Sequence, residues 1–324
     1  LFGGAVASLG TKKHRHYVDQ ANDLKILCCF ALTEMGHGSN ARAVETTATH
    51  DRETDEFVIH SPTVMAQQYF IGGSVGGTHS VVFAQMLIDG EDHGVQAFVV
   101  PLRDAKTGQI FPSIRIKVCG HKMGLQGVDN GRMMFNHHRV PRDNLLDRYG
   151  TVTRDGKYVT EIKSNAARFA TMIGALIYGR VGLTFSSVAV AKLALVIAIK
   201  YGSERLQFGP PGKYEIPILD FLSHQRRLFI PLAKTYAYHF AMRRLLAQVQ
   251  ANDQKKLHIL AAGMKAMATW HANEILSTAR QCCGGQGYLS ENRIGELKAD
   301  IEIFTTFEGD NVVLLQQVAA SLLK

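Results

Sequence analysis

The spacing of apolar residues divides the chain into two parts. Up to about residue 140, apolar residues alternate with polar ones or gather in short β-rich runs, and turn sequences such as Asp89-Gly90 separate the runs. Short runs bounded by turn residues are typical of strands. We predict strands over residues 26–32, 44–49, 56–60, 80–88, 95–102, 114–118 and 132–140. Their spacing favours an antiparallel barrel or sandwich of about a hundred residues.

The second half of the chain has the helical period. Beyond the polar segment 149–157, apolar residues recur every three or four positions, as they do in amphipathic helices. We predict an up-and-down bundle with long helices over residues 166–201, 218–249 and 255–282. The longest apolar run, residues 181–199, contains Lys192 and follows Arg180. We therefore expect a buried helix rather than a membrane span.

Composition excludes two classes of protein. Of 324 residues, 46% are hydrophobic and 20% are charged, which fits neither a disordered chain nor a membrane bundle. The net charge of +8 is spread along the chain and favours anionic partners, including phosphorylated cofactors. Because no zinc-finger spacing and no aromatic and basic motif accompanies this charge, we expect no nucleic-acid partner.

The cysteines and the first residues indicate no disulfide framework, metal site or signal peptide. Five cysteines include two adjacent pairs and no CxxC spacing, so we expect reduced, buried thiols and no metal site. The chain begins at Leu1 without a basic and apolar leader. We therefore expect a piece of a longer protein, with no visible signal peptide.

Three polar segments are candidates for chemistry, and each one alone has an ordinary alternative. The glycine- and hydroxyl-rich loop 33–40 would let backbone N–H groups approach a phosphate or a ring edge, or it is only a tight loop. Residues 72–77 lack the spacing of a dinucleotide- or phosphate-binding loop and suit a flexible loop equally well. In residues 307–311, Asp310 or Asn311 could simply cap the apolar C-terminal helix.

Six short motifs occur in a fixed order along the chain. They are 33–40 (TEMGHGSN), Gly72-Gly73, 119–131 (CGHKMGLQGVDNG), 205–209 (RLQFG), 283–288 (CGGQGY) and 306–311 (TFEGDN). The ordered set resembles the acyl-CoA oxidases, the peroxisomal branch of the acyl-CoA dehydrogenase superfamily, over nearly the whole chain. Residues 127–131 and 309–311 resemble the oxidase rather than the dehydrogenase variants.

The resemblance implies an α+β multidomain protein with an acyl-CoA dehydrogenase-like fold. Residues 1–25 would be the tail of an N-terminal helical domain, 26–145 an antiparallel, barrel-like β domain that binds flavin and acyl-CoA, and 146–324 a four-helix bundle that carries the catalytic base. The rest of the N-terminal domain and the oxidases' second C-terminal helical domain would be missing. This order agrees with the one that the periodicity predicts without the family.

The resemblance also implies FAD bound across the subunit boundary of a homodimer. In the β domain the implied contacts are Thr33, Gly38, Ser39 and Gly72, and Tyr69-Phe70 replaces an aromatic pair that often contains Trp. In the helical domain, the guanidinium of one arginine would pair with the pyrophosphate. The implied contacts there are Arg205, Gln207, Phe208, Gln225, Gln281, Gly284, Gly285 and Asp310.

Glu308 matches the catalytic base of the family. It would take the α proton of a fatty acyl-CoA while the β hydrogen leaves as hydride to flavin, which requires the site to tune the pKa of the carboxyl group. Phe307 would supply an apolar wall. Arg180 resembles the arginine that contacts CoA, or it is a helix-end charge.

The implied function is the oxidation of fatty acyl-CoA to trans-2-enoyl-CoA with O₂ as electron acceptor and H₂O₂ as product, in the peroxisome. One alternative is an acyl-CoA dehydrogenase whose flavin passes electrons to a carrier protein. Another is a non-catalytic basic binding module of the same fold. We expect neither a nucleic-acid nor a membrane partner.

Overall fold

A computed structural model of the chain describes residues 1–174, 177–251 and 254–323. The chain divides into two compact units. One consists of Leu1–His121 with Gln126–Ala175, and the other of Lys122–Leu125 with Leu176–Lys324. The predicted order, a β domain followed by a helical bundle, is confirmed.

Two short helices open the first unit, α1 (Phe2–Leu9) and α2 (Arg15–Asn22). The buried residues of α1 are spaced like one face of a helix, at positions 2, 5, 6 and 9, so this face packs against the rest of the unit. Arg148 holds the end of α1, because its guanidinium donates to the carbonyls of Gly10 and Ala7 at 3.0 and 2.8 Å.

Nine strands follow in the described part of this unit, before residue 142. They are β1 (Cys28–Ala31), β2 (Thr47–Asp51), β3 (Glu56–His60), β4 (Gln68–Gly72), β5 (His79–Ile88), β6 (Glu91–Pro101), β7 (Ile114–Val118), β8 (Asn130–Phe135) and β9 (His138–Pro141). One sheet has the order β1-β5-β2-β3-β9, with β6 also paired to β5, and a smaller sheet has the order β4-β8-β7. Phe57 and Phe98 pack edge to face in the core, with ring centroids 4.9 Å apart.

The strands differ from the predicted ones in three respects. Strand β4 is not among the predicted runs, and the predicted strand 132–140 is two strands, separated by a turn in which His137 has a φ of 54°. The pairs β1·β5 and β2·β5 are parallel, whereas the remaining pairs of both sheets are antiparallel. Pairing partners are chosen by contacts between distant segments, which a local pattern of apolar residues does not contain.

The first unit continues beyond the boundary predicted at residue 145. It includes the hairpin β10 (Thr151–Val152) and β11 (Tyr158–Val159) and the helix α3 (Asn165–Ile173). The buried Arg168 of α3 donates to the carbonyls of His93 and Ile162 at 2.8 and 2.5 Å. The bond to His93 ties α3 to β6. The division into three domains stays a prediction.

The second unit is a helical bundle. Its helices are α4 (Ile177–Glu204), α5 (Leu222–Ala251), α6 (Gln254–Cys282), α7 (Ile294–Glu302) and α8 (Asn311–Leu322). Helix α6 packs against each of the other four. In the core, alanines of α4 and α6 at positions 191, 194, 198, 272 and 279 are buried together, which allows the two helices to approach closely.

The apolar segment that includes α4 is long and apolar enough to cross a bilayer by length and composition. Buried helices in the core of a globular protein meet the same two criteria. Ala191, Ala194 and Ala198 of α4 are 0% exposed, so one face of the helix is covered by the bundle.

Candidate active site

The turn before α8 carries Glu308 in an unusual backbone conformation. Glu308 has a φ of 57° and Gly309 a φ of 101°, so two consecutive residues lie in the left-handed region. A residue with a side chain is disfavoured there by about 1–2 kcal/mol, whereas glycine adopts it freely. Surrounding contacts must therefore hold Glu308 in place, and such strained residues concentrate at functional sites.

Two buried cations provide those contacts. Arg180, in the first turn of α4, donates from Nε to the backbone carbonyl of Glu308 at 3.0 Å. Lys265 of α6 donates from Nζ to the carbonyl of Gly309 at 2.7 Å. Arg180 is 5% exposed and Lys265 0%. Consecutive carbonyls of the turn are thus each fastened to a different helix by a buried positive charge.

The next two residues connect the turn to α8. Asp310 caps this helix, because its Oδ1 accepts from the N–H groups of Val312 and Val313 at 2.9 and 3.4 Å. Of the two caps that the sequence allows, Asp310 is therefore the one that forms. Asn311 instead accepts a hydrogen bond from Nζ of Lys265 at 2.9 Å. Contact of Asp310 with FAD stays a prediction.

The carboxyl group of Glu308 faces α4 where that helix has no side chain. A Cβ on Gly179 would lie 2.7 Å from Cδ of Glu308, so the absence of a side chain makes room for the carboxyl group. Among the described residues, Oε2 of Glu308 is buried without a hydrogen-bond partner. Burial raises the pKa of Glu308, and the charges of Arg180 and Lys265 oppose that rise. A carboxyl group with a free oxygen and a tuned pKa suits a general base.

Phe307 lies beside the base on the same turn. Its ring stacks on that of Phe304 with centroids 5.3 Å apart, and it is 36% exposed. The two rings form an apolar surface next to Glu308, the position that the sequence predicts for an apolar wall. The partial exposure of Phe307 leaves this apolar surface accessible to a ligand.

A second feature of the helical unit is a cavity of about 480 Å³ at the opposite end of α4 from Arg180. It contains six of the predicted cofactor-binding residues: Arg205, Gln207, Phe208, Gln281, Gly284 and Gly285. Gln225 is not among the described lining residues, and its neighbours His224 and Arg227 on α5 line the cavity instead. The contact of Gln225 with FAD therefore has no support from this cavity and stays a prediction.

The wall of the cavity is shaped by a short loop after α4. The N–H of Gln207 donates to Ile216 at 3.1 Å, and the N–H of Ile216 donates to Phe208 at 2.8 Å. This pairing leaves Phe208 with a φ of 57° and 76% exposed. Gly209 allows the loop to close, because a Cβ there would lie 2.2 Å from the carbonyl oxygen of Tyr214.

The cavity is suited to a large anion. The guanidinium groups of Arg205 and Arg227 line it, and arginine binds phosphate oxygens with paired hydrogen bonds. Arg227 also donates to Oε1 of Gln281 at 2.5 Å, which orients the amide and leaves its nitrogen as a donor. Gly284 has a φ of 54°, and a Cβ added to it would meet no atom of the described residues within 4 Å, so the backbone is accessible on this side.

In the β unit, a buried carboxylate organises the loop that begins at Thr33. Glu34 is 2% exposed, and its oxygens accept from the N–H groups of Glu45 and Thr46 at 2.7 and 2.8 Å and from the Thr46 hydroxyl at 2.6 Å. The N–H of Tyr69 in β4 donates to the carbonyl of Thr33 at 2.7 Å. These bonds place Thr33 beside the aromatic pair. Gly38 and Ser39 lie farther along the same loop, and both are exposed.

The aromatic pair leads to Gly72 at the end of β4. Phe70 has a φ of 58° and is 60% exposed, and its carbonyl accepts from Nδ2 of Asn130 at 3.0 Å. A Cβ on Gly72 would lie 3.4 Å from Cγ1 of Val128, which is ordinary contact. Tyr69, Phe70 and Gly72 therefore lie on β4 and Thr33 on the segment bonded to it, and Phe70 is largely uncovered.

Comparison with known proteins agrees with both units. Residues 29–138 match the family model "Acyl-CoA dehydrogenase, middle domain", and residues 173–323 match "Acyl-CoA oxidase, C-alpha1 domain". The chain is 48% identical to the peroxisomal acyl-coenzyme A oxidase 2 of Arabidopsis thaliana, over 100% of this chain and 49% of that protein.

The chain belongs to the acyl-CoA oxidase family. It spans about half the length of the curated relatives that it matches. Among solved structures, acyl-CoA oxidase 1 of Arabidopsis thaliana has a TM-score of 0.89 at 36% identity, over 100% of this chain and 51% of that one. Acyl-CoA oxidase-1 of Caenorhabditis elegans, complexed with FAD and ATP, has a TM-score of 0.92 at 33% identity, over 100% and 49%. The predicted acyl-CoA dehydrogenase-like fold is thereby confirmed.

The family motifs do not include several residues that lie near the Glu308 turn or line the cavity. Gly179, Lys265 and Arg227 act through neighbours that lie far away in sequence, so no local motif contains them. One signal was present for Lys265: it stands alone in the apolar helical stretch 259–268, and a charge on a buried face requires a partner.

Arg180 was predicted to contact substrate or to be a helix-end charge. It does lie in the first turn of its helix, but it is buried and donates to the backbone of Glu308. This geometry favours a role in positioning the base. Contact with CoA stays a prediction.

Proposed function

We propose that the protein is an FAD-dependent oxidase that converts fatty acyl-CoA and O₂ to trans-2-enoyl-CoA and H₂O₂. The observation that carries the proposal is the Glu308 turn. This left-handed turn is held by two buried cations, and the Oε2 atom of its carboxyl group is buried without a hydrogen-bond partner among the described residues. Family membership alone would support only the fold, since function depends on the residues of the site.

In this reaction Glu308 takes the α proton of the acyl thioester. A carboxylate is a weak base for a carbon acid, and burial in an apolar site strengthens it by raising its pKa. The charges of Arg180 and Lys265 oppose that rise, because a nearby positive charge favours the carboxylate. Because both cations bond backbone carbonyls, they also hold the backbone of the turn that carries the carboxyl group.

The family resemblance assigns stabilisation of the thioester oxygen to the backbone N–H of Glu308. Such a donor is most effective when it is held rigidly before the reaction begins. The bond from Arg180 to the carbonyl of the same residue, at 3.0 Å, supports this rigidity. Phe307 and Phe304 would exclude water from the acyl chain next to the base.

The residues that line the cavity fit FAD. Arg205 and Arg227 would pair with the pyrophosphate, and Gln281 would offer its amide nitrogen. In the β unit Thr33, Tyr69, Phe70 and Gly72 form a surface on which a flat ring system could lie. Bound FAD would accept the β hydrogen as hydride and deliver the electrons to O₂. In keeping with the family, we propose that each FAD is shared by the two subunits of a homodimer.

We also propose a peroxisomal location, because the Arabidopsis relative is named as peroxisomal. A dehydrogenase that passes electrons to a carrier protein is the second candidate function. It is supported by the match of residues 29–138 to the middle domain of the acyl-CoA dehydrogenases. The match of the helical unit to an oxidase domain favours the oxidase.

The proposal is tested by the visible absorption spectrum of the purified protein, first without oxygen. A saturated fatty acyl-CoA should bleach the flavin absorption, and admission of O₂ should restore it with release of one H₂O₂ per flavin. Bleaching followed by slow reoxidation would favour the dehydrogenase. A flavin that does not bleach, or a protein that takes up no FAD, would contradict both.

A further inference from the structure

Lys265 is a lysine with no exposure to solvent, in the middle of α6. Burial of an ammonium group is costly unless hydrogen bonds and nearby charges compensate. Its Nζ donates to the carbonyl of Gly309 at 2.7 Å and to Oδ1 of Asn311 at 2.9 Å. Both partners lie within three residues of Glu308, so the burial of this charge is linked directly to the turn that carries the base.

Asn311 makes two further hydrogen bonds to α6. Its Nδ2 donates to the Thr269 hydroxyl at 2.9 Å and to the carbonyl of Ala266 at 3.2 Å. Asn311 is 1% exposed, and every polar atom of its amide is used. Lys265 and Asn311 therefore form one buried network, which runs from α6 to both residues that flank Asp310.

The titratable groups around this network come from four elements. Helix α4 contributes Arg180, the turn contributes Glu308, and the start of α8 contributes Asp310; each of these acts on the ionisation of Lys265. Helix α6 itself contributes His258, whose pKa is lowered by burial and by Arg180. Within the helical unit, the charges of Arg180 and Lys265 both lower the pKa of Glu308.

We propose that Lys265 is a positioning residue that fastens the left-handed Glu308–Gly309 turn to α6 and supplies positive charge that favours the ionised form of the Glu308 carboxyl group. The inference rests on the proposed function only in its consequence for the rate, because the effect on the ionisation of Glu308 needs neither FAD nor substrate.

The electrostatic part follows from the signs of the charges. Burial raises the pKa of Glu308, and a nearby positive charge lowers it because it favours the carboxylate. Burial lowers the pKa of Lys265 to about 8, so the ammonium is charged below that pH. Removal of this charge should leave Glu308 protonated up to a higher pH.

The test measures the ionisation of Glu308 directly. In protein labelled with ¹³C at the glutamate side chain, the Cδ signal of Glu308 is assigned by its absence in Glu308→Gln and is followed through a pH titration. Lys265→Gln keeps an N–H donor and removes the charge, and Lys265→Met removes both. We expect the midpoint for Glu308 to rise by roughly 1 pH unit in both variants, as for the loss of a neighbouring charge.

Two control variants separate charge from structure. Lys200→Met removes a lysine from the exposed side of α4 and should leave the midpoint unchanged. Asn311→Ala loosens the turn but keeps the ammonium, so it should slow flavin reduction while the midpoint stays close to that of the parent protein. If Lys265→Met does not fold, as judged by its circular dichroism, Lys265→Gln still gives the result.

An unchanged Glu308 midpoint in Lys265→Gln would overturn the inference. With acyl-CoA, the pH at which flavin reduction reaches half its maximum should move upward in parallel with the midpoint in both lysine variants. If the parent protein does not reduce its flavin at any pH, the proposed function fails, whereas the shift in the Glu308 midpoint still decides the role of Lys265.

Discussion

Gly179 of α4 lies directly against the carboxyl group of Glu308. A Cβ on residue 179 would be 2.7 Å from both Cδ and Oε1 of Glu308, closer than any carbon contact in a packed interior. The atoms that would have to move are the far end of a flexible side chain and not backbone. A methyl group at this position would therefore displace the base and disturb little else.

Gly179→Ala should for this reason separate activity from stability. We expect flavin reduction by acyl-CoA to slow by about 10²-fold, the usual effect of a misplacement of about 1 Å. The thermal midpoint should stay equal or rise, because alanine favours a helix over glycine by about 1 kcal/mol. Stopped-flow reduction and thermal unfolding measure the two effects. Gly182→Ala is the matched control, since none of the described atoms lies within 4 Å of its Cβ, and it should reduce its flavin normally.

Glu308→Gln keeps the size of the side chain and removes its ability to accept a proton. We expect FAD to remain bound and its reduction to slow by ~10² or more, the usual scale for a general base. The exposed Glu291→Gln is the control. Reduction at a near-normal rate in Glu308→Gln would show that another group takes the α proton.

Arg205→Glu places a negative charge in the cavity where the pyrophosphate of FAD is proposed to bind. Because a cofactor shared by two subunits stabilises the dimer by mass action, we expect loss of flavin and easier dissociation of the dimer on dilution, seen by absorption and by sedimentation. Arg244→Glu makes the same charge change on the exposed side of α5 and should retain both. Tight binding of one FAD by a strictly monomeric protein would contradict the shared site.

Glu34→Gln should loosen the loop that begins at Thr33. The Glu34 carboxylate accepts from two N–H groups and a hydroxyl. In Glu34→Gln the side-chain amide replaces one of these acceptor oxygens with an NH₂ group, which faces a donor and cannot accept its hydrogen bond. We expect a loss of about 1–3 kcal/mol in unfolding free energy, the usual result when a buried donor loses its acceptor, and faster proteolysis within residues 33–46. Glu53→Gln, on an exposed turn, is the control; equal stability of the two variants would contradict the role of Glu34.

His271 should make the helical unit sensitive to acid. Burial lowers its pKa from 6.5 to about 4, and its Nε2 bonds the Thr235 hydroxyl at 2.9 Å. Between those two pH values the unfolded chain takes up a proton that the folded chain does not. Stability should therefore be unaffected above pH 6.5 and should fall by up to about 3 kcal/mol as the pH drops to 4.

The fluorescence of Trp270, the single tryptophan of the chain, reports unfolding of α6 in this experiment. His271→Gln keeps a hydrogen-bond donor and removes the titration, so its unfolding free energy should depend less on pH over that range. The exposed His121→Gln should behave like the parent protein. Equal pH dependence in all three proteins would rule out His271 as the source.

Local patterns in the sequence predict the order of the β domain and the helical bundle. Apolar residues with period two and with period 3.6 define strands and helices locally, and α5 and α6 begin and end within a few residues of the predicted bounds. The family motifs are also local: Glu308 with its glycine, and Arg205 with the loop that follows, could be recognised because each motif is continuous in the chain.

Tertiary structure alone decided which distant groups meet. Strand β4 is short and its partner β8 lies about sixty residues away, so no local period reveals it. The parallel pairing of β1 and β2 with β5 is likewise set by long-range contacts. At the base, Gly179, Arg180 and Lys265 approach Glu308 from two other helices. The pKa of Glu308 depends on burial and on these charges together, and both exist only once the helices have packed.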